Sequence, residues 1–278
     1  MESDAGSPWS EGALDPLTPG ALIRLVSGPL AVDVAPAAGG RIARIVHDDI
    51  DWLVGYSERN AAMIAWGSYP MLPWAGRIRR GRFDFEGRAW QLPPNLGEHA
   101  IHGVGLALPW RVEERSSVHA DLSLQLPEDQ RWPFGGTARQ RIEASESALR
   151  LHLSVSAGKR AMPAVIGWHP WFLKPDRIEF KPSAMYPLDA DGIAVRPLQQ
   201  SSAGPWDHCF VNSEPVLLER GGRRLRLTSN CRHWVVFDQP EHATCIEPQS
   251  GPPDAFNLEP ATLAAGSSIE AWFLLEWL

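Results

Sequence analysis

Apolar and polar residues alternate with a period of two along most of the chain, the pattern of strands with one face in a core and the other in water. Leu22-Ile23-Arg24-Leu25-Val26 and Leu30-Ala31-Val32-Asp33-Val34 read as strands split by Ser27-Gly28-Pro29, and Arg41 to Val46 alternates in the same way. Three further stretches predict hairpins: Arg82–Phe85 turning through Glu86-Gly87 into Arg88–Leu92, Arg139–Ala144 joined to Ala148–Val155 through Ser145-Glu146-Ser147, and Val216–Thr228 turning at Gly221-Gly222. Trp234–Asp238, Ala243–Glu247 and Ile269–Trp277 close the chain as strands. No segment offers three clean turns of amphipathic helix. Short strands at regular spacing with turn residues between them predict an all-β architecture, a sandwich or barrel with few short helices. No low-complexity linker follows residue 20, so the pattern predicts a flexible N-terminal tail over 1–20 and a single large antiparallel β domain over 21–278.

Composition narrows this picture. The 278 residues carry 26 Lys and Arg against 33 Asp and Glu, a formal charge of −7, which gives no electrostatic reason to hold nucleic acid. Gly and Pro, at 24 and 25 residues, fit a turn-rich fold. The longest apolar runs, such as Ala61–Trp66, are far shorter than the roughly 18 residues of a membrane span, so no membrane partner is expected. Met1 to Gly20 lacks the basic and apolar regions of a signal peptide. Cys209, Cys231 and Cys245 are odd in number and form no CxxC, which predicts buried free thiols in a reducing cytoplasm and neither a disulfide framework nor a zinc site. GxGxxG, P-loop, GxSxG and HExxH motifs are absent. The 13 Trp against 3 Tyr fit either a thick core or flat platforms for ligands such as sugars.

Two loop-like stretches, Tyr69–Arg80 and Pro93–Pro109, are dense in Arg, His and Trp, the setting in which function concentrates on a rigid sheet. His102, in His99-Ala100-Ile101-His102-Gly103, suits either a cleft hydrogen-bonding group or a loop histidine bound to backbone. His169, between Trp168 and Pro170-Trp171, has a restricted backbone and an aromatic setting that disfavours imidazolium, or else it plugs an apolar edge. Glu247 ends an apolar strand, where burial would raise its pKa toward that of a useful base, although an exposed strand end fits equally. Arg77 beside Trp74 offers a fork of donors, and Asp207 beside Trp206 a pair of acceptors.

Taken in order, these motifs resemble the aldose 1-epimerase (mutarotase) family. Gly76-Arg77-Ile78 with Gly81–Gly87, Asn95 with His99–Gly103, Gly167–Phe172, Asp207–Phe210, and Glu247-Pro248-Gln249-Ser250 with Ala255-Phe256-Asn257 are similar to that family's segments, from about residue 20 to the C-terminus. The resemblance implies a galactose mutarotase-like β-sandwich with a sugar cleft, a monosaccharide as the partner, no cofactor or metal, and a monomer or weak homodimer. It implies Glu247 as the base at the anomeric hydroxyl and His169 as the acid at the ring oxygen. Arg77, His102 and Asp207 would bind hydroxyls, with Gln249, Trp171 and Trp74 at the site. Mutarotation needs only an acid and a base about one acetal carbon, so His169 and Glu247 are expected to face each other across the cleft, with indoles of Trp74, Trp168, Trp171 and Trp206 along it.

The chain departs from the family at Gly76, where Asn is frequent, and at Trp171, where Tyr is common. Gly76 removes an amide from that corner, and His99 is a second imidazole close to the cleft. The basic run Arg77, Arg79, Arg80 and Arg82 raises a hexose-6-phosphate 1-epimerase as an alternative substrate class, since a phosphate favours such a cluster. A non-catalytic sugar-binding module on the same scaffold is the alternative outside enzymes; only the enzyme needs Glu247 and His169 together.

Overall fold

The computed structural model describes residues 12–278. Two antiparallel sheets form the body. The ten-stranded sheet runs in the order Ile23–Ser27, Leu30–Ala35, Arg41–His47, Ser68–Met71, Gly167–Leu173, Ala243–Gln249, His233–Phe237, Asp207–Val211 and Ala184–Met185, with Ile50–Asp51 paired onto Arg41–His47. The eight-stranded sheet runs Arg111–Arg115, His119–Gln125, Thr137–Ala144, Ala148–Ser156, Ser268–Trp277, Arg223–Ser229, Val216–Arg220 and Arg177–Glu179. All three predicted hairpins form, because each turn carries Gly or short polar residues between strands whose alternation already matches. The fold is all-β, with one α-helix, Ala255–Leu258, among the described residues. None of the described helices is long and apolar enough to cross a membrane.

The core lies between the sheets. Strand alternation sends Trp168, Phe172, Trp234 and Ile246 of the first sheet toward Leu151, Leu153, Phe273 and Leu275 of the second. Phe273 is central: its ring lies 5.9 Å from Trp168 and 6.1 Å from Trp234. A buried polar crossing is satisfied, since Gln140 accepts from Trp168 Nε1 at 3.1 Å and donates to the Gly40 carbonyl at 2.7 Å. Phe273→Ala is expected to cost about 3–5 kcal/mol, the range for a large aromatic removed from a core that cannot collapse; urea unfolding of the two proteins measures it, and a loss below about 1 kcal/mol would contradict the packing.

The expected tail boundary moves. Residues 1–11 lie outside the described residues, but the segment from Gly12 is built into the fold. Ala13 is buried, its N–H donates to the Asn95 carbonyl at 2.9 Å, and the Asp15 carbonyl accepts from Met63 at 2.9 Å. Buried backbone groups need such partners, and the loops 61–64 and 93–95 supply them. Cys209, Cys231 and Cys245 are all free and buried.

Candidate active site

One row of residues crosses the outward face of the ten-stranded sheet. Tyr69 pairs with His169, the register that sets Gly167 opposite Gln249 and Trp171 opposite Cys245 sets His169 opposite Glu247, and Glu247 pairs in turn with Val235 and Val235 with Cys209. Paired residues of an antiparallel sheet share a face. Residues from four separate stretches of sequence therefore meet on one surface. Glu247, Gln249, Val235, Phe237, Asp207, His208 and Cys209 line a cleft there, with Arg77 and His102 on one wall and Leu188 and Ile193 on another. The cleft holds about 630 Å³ of empty space, open mouth included.

Glu247 and His169 are 2% and 6% exposed, and His169 Nε2 lies 3.2 Å from Glu247 Oε1. They are neighbours on adjacent strands rather than groups facing each other across the cleft, because the register fixes them side by side. Burial raises the Glu247 carboxyl well above the ordinary carboxylate range, and the Asp207 charge pushes the same way, against the Gln249 hydrogen bond and Arg77. Burial takes His169 down to about 3, against a hydrogen bond to its own backbone, and the Arg41 charge adds to the lowering. Both shifts favour the uncharged pair, a carboxylic acid against a neutral imidazole, over an ion pair. Gln249 donates its amide to Glu247 Oε2 at 3.1 Å, which holds the second carboxyl oxygen.

His102 sits in the left-handed region at φ 59, its N–H held by the Gly76 carbonyl at 3.0 Å. Gly103 makes this possible. A Cβ there would come within 1.9 Å of the Leu72 carbonyl oxygen, so only glycine lets the loop approach that closely. Burial drives His102 well below its ordinary pKa, helped by His169 and Arg77. Arg77 is placed by pairing of Arg77–Ile78 with Ala100–Ile101 and by its carbonyl accepting from Asp254 at 2.7 Å. Among the described residues its guanidinium has neither an ion pair nor a side-chain hydrogen bond, and it faces the cleft. Three buried polar atoms beside the pair also lack partners: His169 Nδ1, His102 Nδ1 and Gln249 Oε1. Two of these atoms belong to residues that line the cleft, His102 and Gln249.

The departure at Gly76 has a steric reason. At φ 67, a Cβ would meet Pro253 at 2.8 Å, so Pro253 fills the space that an asparagine side chain would take. His99 turns away from the cleft, its Nδ1 accepting from the Arg80 N–H at 3.0 Å. The basic run disperses as well. Arg79 binds Asp189 and Asp191, which tethers the wall carrying Leu188 and Ile193; Arg80 lies near Glu98 and Arg82 donates to Gln91. Of the four arginines only Arg77 lines the cleft.

The indoles do not line it. Trp168 alternates to the core, Trp74 packs 5.9 Å from Trp132 beneath the loops, and Trp206 rests on Phe180 and Phe210. Trp171 is on the right face but stacks on His169 at 5.5 Å, a buttress for that ring. Phe237, reached only through the pairing of Asp207 with it, is the aromatic residue in the cleft. His208 also lines it, beside Asp207 in a motif already notable in the sequence. The Cys245 thiol comes within 4.8 Å of the His169 and Glu247 polar atoms. Burial holds that thiol protonated and Gln249 occupies the second Glu247 oxygen, so the trio reads as an acid–base pair beside a spectator thiol.

A buried carboxyl against a neutral imidazole, beside a polar cleft on a β-sandwich, is the arrangement this fold presents. The model of the aldose 1-epimerase family matches residues 22–276, and the chain belongs to that family. It is 32% identical over 152 residues to the uncharacterized protein YphB of Escherichia coli (strain K12), a match covering 53% of this chain and 50% of that protein, so the aligned region spans half the length of this curated relative. Among solved structures, a galactose mutarotase-like protein from Clostridium acetobutylicum superposes with a TM-score of 0.82 at 15% identity, covering 92% of this chain and 95% of the other. A galactose 1-epimerase from Lactobacillus acidophilus NCFM does so with a TM-score of 0.77 at 18% identity, covering 92% and 94%. At these identities the structures establish the shared fold.

Proposed function

We propose that this protein interconverts the α and β anomers of a free aldose by acid–base ring opening and reclosure. The observation that carries this reading is the 3.2 Å contact of His169 with Glu247, the carboxyl that lines the cleft beside Arg77, His102 and Asp207. The anomeric hydroxyl and the ring oxygen sit on one carbon, so two groups side by side can serve both oxygens of a single hemiacetal. The resting pair holds one proton on the Glu247 carboxyl. Passing it across the contact leaves Glu247 as the base and His169 as the acid, with no change in net charge. Glu247 then takes the proton of the C1 hydroxyl while His169 protonates the ring oxygen. The bond from C1 to the ring oxygen breaks, an open-chain aldehyde forms, and rotation about C1–C2 presents the other face. Reclosure runs the same transfers in reverse and restores both groups.

Around this pair, Arg77 donates to substrate hydroxyls, Asp207 and Gln249 Oε1 accept from them, and His102 bonds through its neutral ring. Arg77 is the sole cation in the lining, which favours an unphosphorylated sugar over a hexose 6-phosphate. The test is polarimetry on freshly dissolved α-D-glucose and α-D-galactose. Rotation is expected to relax faster in proportion to protein concentration, and equally fast with EDTA present, because the chemistry needs no metal. If no aldose, free or phosphorylated, is accelerated although sugars bind, the chain is a sugar-binding module instead.

A further inference from the structure

Arg41 is a cation that the chemistry above does not use. It is fully buried, in the strand Arg41–His47, two strands away from His169 in the sheet. Among the described residues no carboxylate pairs with it. Its guanidinium donates to four main-chain carbonyls: Nε to Ala38 at 2.7 Å, Nη1 to Met63 at 2.7 Å and Trp66 at 3.1 Å, and Nη2 to Leu106 at 3.0 Å. It also lies over two rings, 4.3 Å from the centroid of Trp66 and 5.0 Å from that of Tyr69. Carbonyl dipoles and ring faces solvate such a cation without neutralising it, so the charge stays unbalanced in a medium that screens it poorly.

Tyr69 carries this charge's neighbourhood to the acid–base pair. Its ring stacks on His169 at 4.7 Å and 25°, and its hydroxyl donates to the Ile64 carbonyl at 3.2 Å, which leaves the ring no freedom to turn away. Tying three loops together would need only donors. The permanent charge exceeds that need, and the titratable group it faces through Tyr69 is His169.

We propose that Arg41 is a positioning residue: through Tyr69 it fixes the His169 ring and holds it in the uncharged state, so that the proton this ring receives from Glu247 is passed on to the sugar rather than kept. The role rests on the epimerase reading. A positive charge near an imidazole disfavours imidazolium and makes that imidazolium a stronger acid. The other groups around His169 are His102 and, behind it, Arg77 from the loop side, Glu247 and Cys245 from the strand Ala243–Gln249, and His242 beyond Trp171. Of these, Glu247 and Cys245 are held uncharged by burial. Arg41 is therefore the fixed charge that bears on the His169 ring, while Arg77 bears on His102.

The experiment is a ring-nitrogen NMR titration of His169 in the sugar-free full chain, with kcat/KM against pH measured in parallel. In the wild type the ring is expected to stay neutral well below pH 6.5. Arg41→Gln keeps N–H donors for the carbonyls and removes the charge. It should raise the pH of ring protonation by about one unit, a tenfold change in its ionisation constant, and move the acid limb of kcat/KM with it. Arg41→Lys, which keeps the charge, should return both toward wild type. A wild-type ring that protonates near pH 6.5, or Gln and Lys variants with the same titration, overturns the proposal. Should Arg41→Gln not fold, Arg41→Met, which also lacks the charge, gives the same comparison against Arg41→Lys. The NMR reading needs no turnover, so it stands or falls apart from the epimerase activity.

Discussion

Glu247→Gln is expected to remove the acceleration of mutarotation by about two to four orders of magnitude, the worth of a positioned acid–base group, while sugar still binds. The structure makes this substitution unusually clean. Glu247 rests in its protonated form, bonded to His169 Nε2 on one oxygen and accepting from Gln249 on the other. A glutamine amide reproduces both contacts, with its N–H toward the imidazole and its carbonyl toward Gln249. No charge is lost from the core, so stability should stay within about 1 kcal/mol of wild type. What the amide cannot do is release a proton and take one back. Calorimetric binding of galactose with unchanged affinity, beside a collapsed rate, is the expected pair of results. Full rate in Glu247→Gln would remove Glu247 from the chemistry.

His169→Asn is expected to lower kcat by about two to four orders of magnitude as well, and the wild-type pH profile should explain why. An ordinary imidazole acid would give a rate that inflects near 6.5. Here the pair is active while it holds a single proton. On the acid side it takes a second proton only when His169 is protonated, a step that burial pushes down to about 3. On the alkaline side it loses its one proton only when Glu247 ionises, a step that burial raises well above 4.5. Both shifts widen the active range, so the acid limb of kcat should lie well below 6.5 and the alkaline limb well above the ordinary carboxylate range, as the two macroscopic steps of the pair. A clear inflection near 6.5 would mean that His169 titrates as an exposed histidine does, which its 6% exposure contradicts.

The strands and hairpins were legible in the sequence because their signals are local: alternation of period two, and turn residues such as Gly221-Gly222 between matched strands. The His169–Glu247 pair was legible as two motifs, yet its geometry was not. That His169 and Glu247 touch depends on the register between Gly167–Leu173 and Ala243–Gln249, which neither motif carries. The indoles show the opposite case, a fact within reach of the sequence. Successive residues on a strand point to opposite faces, so placing His169 on the cleft already consigns Trp168 to the core. Phe237, Leu188 and Arg41 gave no local signal, since their importance comes from strands and loops that pair far along the chain. Gly76 is intermediate: its difference from the family is visible in the sequence, but its cause, the ring of Pro253, is 177 positions away and needs the fold.

The row Tyr69–His169–Glu247–Val235–Cys209 joins strands whose partners lie far apart along the chain. Contacts of such high contact order close late and slowly, because the loop entropy must be met before the pairing contributes. The strand carrying His169 cannot acquire both neighbours until the chain has been made through Gln249, so the acid–base pair belongs to the last part of folding rather than to any early hairpin.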